Sequence, residues 1–237
     1  MRNYLIINNV LNSKDYGVYI SGQGTFSAPA RAFNMIPIPG RNGALISYET
    51  RFENIEVTYP AFIVSNFKQN IDNFRAKLLS FKSYFYLQDS YNPNFYREAI
   101  YKGPFEPEVN SQNNAGKFNL VFNCKPQRFL LTADYTVTSS LTINNPTEFP
   151  SKPLLKVYGS GSVYIGNWNA YTITVNSTDA YTNIDCETMD CSYGGNSRNQ
   201  NVSFSGNEFP VLTPGNNYVV VSGGVTKVVI EPRWWTI

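Results

Sequence analysis

The residues best suited to chemistry gather in one short stretch. In NIDCETMDCSYGG, Asp185, Glu187 and Asp190 follow one another closely. Oxygen ligands at such density suit a hard cation such as Ca²⁺, yet the spacing is not that of an EF-hand loop. Solvated turn carboxylates are the simpler reading. Cys186 and Cys191 lie in the same stretch, and Cys124 is the third cysteine. An odd count beside an N-terminus without the apolar core and small-residue cleavage site of a signal peptide argues for isolated thiols, not a disulfide framework. Histidine is absent. That removes Ser-His-Asp and Cys-His catalysis and the commonest ligand of catalytic zinc. A glycosidase-type carboxylate pair would have to come from 17 Asp and Glu, and no pattern singles out two of them. GSGSVYIG lacks the lysine and helix of a phosphate loop, and SGQGTF offers a lone G-x-G. The expectation is therefore no catalytic residue, no cofactor and no bound metal.

Residues suited to binding are easier to find. In PIPGRNGAL, Pro39-Gly40 and Asn42-Gly43 place two turn signals around Arg41. Longer apolar-polar runs flank them, so the segment reads as the tip of an extended hairpin or loop that presents one arginine. Arginine on a rigid turn suits a protein contact. The chain closes with EPRWWTI, where Arg233 precedes Trp234 and Trp235. Each ring carries roughly 150–250 Å² of surface. Two roles are open to them: sealing the bottom of a second domain or its junction with the first, or anchoring a neighbouring subunit or partner. Trp168 in IGNWNAYT and Tyr193 in CSYGG are candidate platforms for stacking a sugar.

These residues must be positioned mainly by β-strands. Aromatic residues make up 15% and charged residues 15%, a sheet-forming balance, and 16 Gly with 14 Pro supply turns. Ile55, Val57 and Tyr59 alternate with polar neighbours, as do Phe118, Leu120, Phe122 and Cys124, and Ile173 with Val175. NNYVVVSGGVTKVVIEP reads as a hairpin turning at Ser222-Gly223-Gly224. One segment is helical: Phe67, Ile71, Phe74, Leu78 and Phe81 form a single stripe, capped by Ser65 or Asn66. That places a helix over 66–81.

A seam is expected after FNCKPQRFLL, where the chain turns rich in Thr, Ser, Asn and Pro. The charge changes sign there: residues 1–132 hold 14 Lys+Arg against 9 Asp+Glu, and residues 133–237 hold 5 against 8. An opposite-sign split can steer copies together. A net charge of +2 is no footprint for nucleic acid, and no run approaches the roughly 20 apolar residues of a membrane span. Two domains follow: 1–132, a sheet fold with one helix, and 133–237, a sandwich or jelly roll of short strands. The expected location is a cytoplasm, or a larger assembly built there.

Several stretches together resemble the distal tail (Dit) proteins of siphoviruses, the hub of a phage baseplate. They are IPGRNGAL at residues 38–45, YFYLQDSYNPNFYREAIYKG after the helix, GKFNLVFNCKPQRFL, INNPTEFPSKPLLKVYGSGS, IDCETMD, FPVLTPGNNYV and EPRWW. The cysteines of DCETMDCSYGG and the short linker depart from the family pattern. The resemblance implies a mainly β chain, with an N-terminal β-sandwich or split-barrel-like domain similar to tail tube proteins and a C-terminal galectin-like β-sandwich. It further implies a homohexameric ring in the virion, without catalysis. Such a ring joins the tail tube protein to a tail-associated lysin or tip protein and in some cases carries receptor-binding protein. The alternative is a lectin-like carbohydrate-binding adhesion module.

Overall fold

A computed structural model describes residues 2–21, 26–110, 112–167 and 170–237. The chain divides into two compact units: Met1–Arg128 with Ile237, and Phe129–Thr236.

Unit 1 contains β1 (Leu5–Ile7), β2 (Leu11–Asn12), β3 (Val18–Ile20), β4 (Arg31–Pro37), β5 (Ala44–Phe52), β6 (Ile55–Ile63), helix α1 (Phe67–Leu79), β7 (Phe85–Asp89), β8 (Phe95–Tyr101), β9 (Glu108–Val109) and β10 (Gly116–Leu130), which runs on into unit 2. Its main sheet has the order β2-β1-β7-β8-β10-β6-β3. The alternating sequences of β6 and β10 set their register. Val57 faces Phe122, Tyr59 faces Leu120 and Ala61 faces Phe118, so both apolar rows enter the core together. Phe67, Ile71, Phe74 and Leu78 of α1 are buried in that core, with Phe81 packed against it. The stripe read from the sequence is the packed face.

The helix start differs from expectation. Asn66 adopts a left-handed conformation and makes no side-chain cap. Instead Asn114 receives the free N–H groups, its Oδ1 accepting from Asn66 at 2.9 Å and its carbonyl from Phe67 at 3.1 Å. A loop distant in sequence thus supplies what an N-cap residue otherwise would.

Unit 2 contains β11 (Tyr135–Val137), β12 (Ser140–Asn145), β13 (Leu154–Gly166), β14 (Ala170–Val175), β15 (Thr182–Asp185), β16 (Asp190–Tyr193), β17 (Asn196–Ser197), β18 (Val202–Phe204), β19 (Gly215–Glu231) and β20 (Trp235–Thr236). Two long antiparallel strands, β13 and β19, carry it, against the expectation of short strands alone. Strands β11 and β12 pair with β19, and β14 and β15 with β13.

The expected hairpin at Ser222-Gly223-Gly224 is not one. β19 runs straight through it, paired with β13, and the register shifts at Tyr158/Gly159. The glycines serve a close backbone approach. A Cβ on Gly159, at φ +92°, would lie 2.2 Å from the Gly224 carbonyl oxygen. A Cβ on Gly224 would lie 2.5 Å from that of Ser160. Glycine inside a strand marks a bulge or bend as readily as a turn.

Candidate functional site

The PIPGRNGAL segment forms the tip of a two-stranded ribbon, β4–β5, which makes a sheet of its own. Ile36 faces Leu45 and Pro37 faces Ala44, and residues 38–43 close the loop. Gly40 and Gly43 take positive φ (77° and 88°), and the Arg41 N–H donates to the Ile38 carbonyl at 3.2 Å. Pro39, Gly40, Arg41, Asn42 and Gly43 are all exposed.

The ribbon behind that tip is unusually bare. Register places Phe33, Met35, Pro37, Ala44 and Ile46 on one face, and Asn34, Ile36, Leu45 and Ser47 on the other. Met35 is 61% exposed, Leu45 56%, Ile36 48% and Ile46 45%. A half-buried strand hides one face, whereas here both faces of both strands meet solvent from Phe33 to Ile46. An isolated hairpin is only marginally stable in water, and apolar surface gathered like this marks an interaction site. At the root, Arg31 lies over the Phe52 ring at 4.8 Å, and Arg51 pairs with Glu49 at 2.8 Å.

A second apolar surface lies at the far end of β6. Phe62, Ile63, Val64, Val109, Ala115 and neighbouring residues line an open groove of about 440 Å³, with Glu108 and Lys117 also lining it.

At the C-terminus Trp234 is completely enclosed in the core of unit 2. It has no surface to offer a partner, so its role is to seal the sandwich. Its indole N–H has no acceptor among the described residues. Trp235 stacks on Phe149 at 4.3 Å and donates its Nε1–H to the Pro150 carbonyl at 2.9 Å. Arg233 clasps Asp185 with two hydrogen bonds, of 2.8 and 3.1 Å. The Leu130 N–H donates to the Trp234 carbonyl at 2.8 Å.

The clasp also decides the acidic stretch. Asp185 Oδ1 accepts from the Glu187 and Thr188 N–H groups as well. Burial alone would raise the Asp185 carboxyl, but Arg233 and those N–H donors outweigh it and hold the group below the usual carboxylate range. Glu187 pairs with Lys152, and Asp190 accepts from Asn199. The three carboxylates thus have three separate partners and do not converge. All three cysteines are free and buried, and burial pushes the Cys124 and Cys191 thiols up to about 12 and Cys186 higher still. Such thiols are inert.

Of the two sugar-platform candidates, Trp168 lies outside the described residues. Tyr193 ends β16 and is half-buried, its ring 4.9 Å from that of Tyr181. Sequence reading missed what surrounds it, because Tyr158, Tyr181 and Lys227 come from distant parts of the chain.

Comparison with known proteins places this geometry. Residues 11–124 match the phage tail protein RIFT-related domain family. No curated protein sequence matches the chain. Among solved structures, the SPP1 Dit protein (gp 19.1), described as a paradigm of the hub adsorption apparatus in Gram-positive infecting phages, aligns over 100% of both chains. The TM-score is 0.74 at 14% identity. A chain of the phage P2 baseplate in its activated conformation with Ca aligns over 97% of both chains, with TM-score 0.54 and 10% identity. The activated conformation with Sr gives 98%, 0.54 and 10%. Residues 11–124 thus resemble a phage tail protein RIFT-related domain, and the chain as a whole shares the mainly β fold of a siphophage distal tail (Dit) protein.

Proposed function

We propose that this chain is the hub at the distal end of a siphophage tail, a structural virion protein that acts through assembly and not through catalysis. Copies close into a homohexameric ring. The ring joins the tail tube protein to a tail-associated lysin or tip protein, and unit 2, a galectin-like sandwich, faces outward where receptor-binding protein can attach. The observation that carries this reading is the β4–β5 ribbon, apolar and uncovered on both faces. Its root adjoins the first residues of β6, and the apolar groove lies at the last. At about 3.3 Å per residue, the length of β6 separates the two by roughly 25–30 Å. Two apolar surfaces so far apart on one unit cannot meet within one copy. They suit a head-to-tail contact, ribbon of one copy against groove of the next, and such heterologous contacts close into rings.

Light scattering on the purified chain, alone and with the neighbouring tail proteins, tests this reading together with negative-stain images. The expected particle is a ring of six times the 26.7 kDa chain mass. Arg41→Glu is expected to impair assembly or docking while the monomer stays folded. A chain that stays monomeric at every concentration and with its neighbours present would overturn the proposal.

A further inference from the structure

Unit 2 holds five basic residues, and three of them have carboxylate partners: Lys152 with Glu187, Arg198 with Asp179 and Arg233 with Asp185. Lys156 and Lys227 have no carboxylate within ion-pair distance among the described residues, although this half of the sequence has three more acidic than basic groups. Both lysines instead sit on tyrosine rings. Lys156 Nζ lies 3.9 Å from the Tyr181 ring centre and 5.5 Å from that of Tyr158. Lys227 Nζ lies 4.4 Å from the Tyr158 ring centre. Two ammonium groups therefore share one ring. The rings continue as a ladder, Tyr158 to Tyr181 at 5.8 Å and Tyr181 to Tyr193 at 4.9 Å, with the Arg198 guanidinium 5.9 Å from Tyr193. In register with Lys156 across the sheet stand Asn183 and then Ser192. All these side chains are partly exposed.

A ring holds a cation against one face and strips part of its water there. Two cations held against one ring repel each other, and an anion that contacts both relieves that repulsion. With only two unpaired cations in a unit of acidic excess, the complement is a polymer with sparse charge. A nucleic acid backbone calls for a broad basic stripe. Half-exposed tyrosine rings and hydroxyls beside an amide are groups that pack against and hydrogen-bond sugar rings. We propose that this ladder binds an anionic polysaccharide, with Lys156 and Lys227 holding its acidic group and Tyr181, Tyr193 and Asn183 meeting the adjoining sugar ring.

The test is binding of the full-length chain to hyaluronate, unsulfated chondroitin, neutral dextran and an oligothymidylate. The proposal expects binding to at least one acidic glycan, weakened by salt, and none to neutral dextran. Lys156→Gln combined with Lys227→Gln should lower that affinity at least about tenfold and leave the melting temperature unchanged. Lys68→Gln with Lys82→Gln, the same charge change in unit 1, should leave affinity unchanged. Failure to bind both acidic glycans would overturn the proposal. So would tighter binding of the oligothymidylate, equal binding of neutral dextran, or equal loss of affinity in the two double variants.

Discussion

Replacing Trp234 by alanine probes how unit 2 is held shut at the end of the chain. The side chain is fully buried in the aliphatic core of unit 2, which includes Ile143, Leu155, Val157 and Ile230. Truncating a buried Trp to Ala removes roughly 3–5 kcal/mol of stability, through lost transfer free energy and the cavity left behind. One effect opposes this. The indole N–H has no acceptor among the described residues, and deleting a buried unpaired donor returns part of its desolvation cost, which is about 1–3 kcal/mol. The net loss should therefore fall at the low end, about 2–4 kcal/mol. For a unit of this size each kcal/mol corresponds to roughly 4–8 °C, so the transition should fall by at least about 8 °C. Trp235→Ala should cost less, about 1–2 kcal/mol, since it forfeits one stacking contact and one hydrogen bond. Thermal and urea unfolding followed by tryptophan fluorescence is the natural assay, because all three tryptophans belong to unit 2. A loss under 1 kcal/mol for Trp234→Ala, or a larger loss for Trp235→Ala, would refute the reasoning.

Other outcomes follow from the same structure. Gly159→Ala should destabilise unit 2 by more than about 2 kcal/mol in urea unfolding, because positive φ and a 2.2 Å approach to backbone oxygen add together. Asp185 ionises in the folded chain below its unfolded value, so its contribution is present above about pH 4 and lost as pH falls through the depressed folded value; the stability gap between wild type and Asp185→Asn, read from urea midpoints, should narrow between about pH 5 and pH 2. A colourless thiol reagent that releases a chromophore should find no reactive cysteine in the native chain at pH 8 and all three after denaturation, as burial of Cys124, Cys186 and Cys191 requires.

Much of the fold was legible because burial leaves a periodic trace. Ile55, Val57 and Tyr59 alternate since β6 hides one face, and Phe67 to Leu78 repeat at helical spacing since α1 hides one stripe. The signal fails where local chemistry has two solutions. Ser222-Gly223-Gly224 carries glycines that suit a turn, yet they permit two backbones to cross closely, and the partner glycines at 159 and 161 lie some 60 residues earlier. Asn66 looked like a cap because it precedes the stripe, while the true acceptor, Asn114, is distant in sequence. The ribbon tip at Arg41 was readable from its turn residues. The exposure of Phe33, Met35, Leu45 and Ile46 was not, since apolar residues normally predict burial within the same chain. The lysine–tyrosine ladder joins β13, β16, β19 and the residue before β15, and only the strand register brings its members together.

The central claim, that the ribbon is covered when the chain assembles, has a built-in internal standard. Met35 on the ribbon is 61% exposed and Met189, at a turn in unit 2, is 64% exposed. Graded peroxide oxidation followed by peptide mass spectrometry reads both sulfurs at once. In the isolated subunit the two should oxidise at similar rates. In assembled tails Met35 should be protected while the isolated subunit's Met35 is not. Equal oxidation of Met35 in the isolated subunit and in the assembled tail would contradict the account.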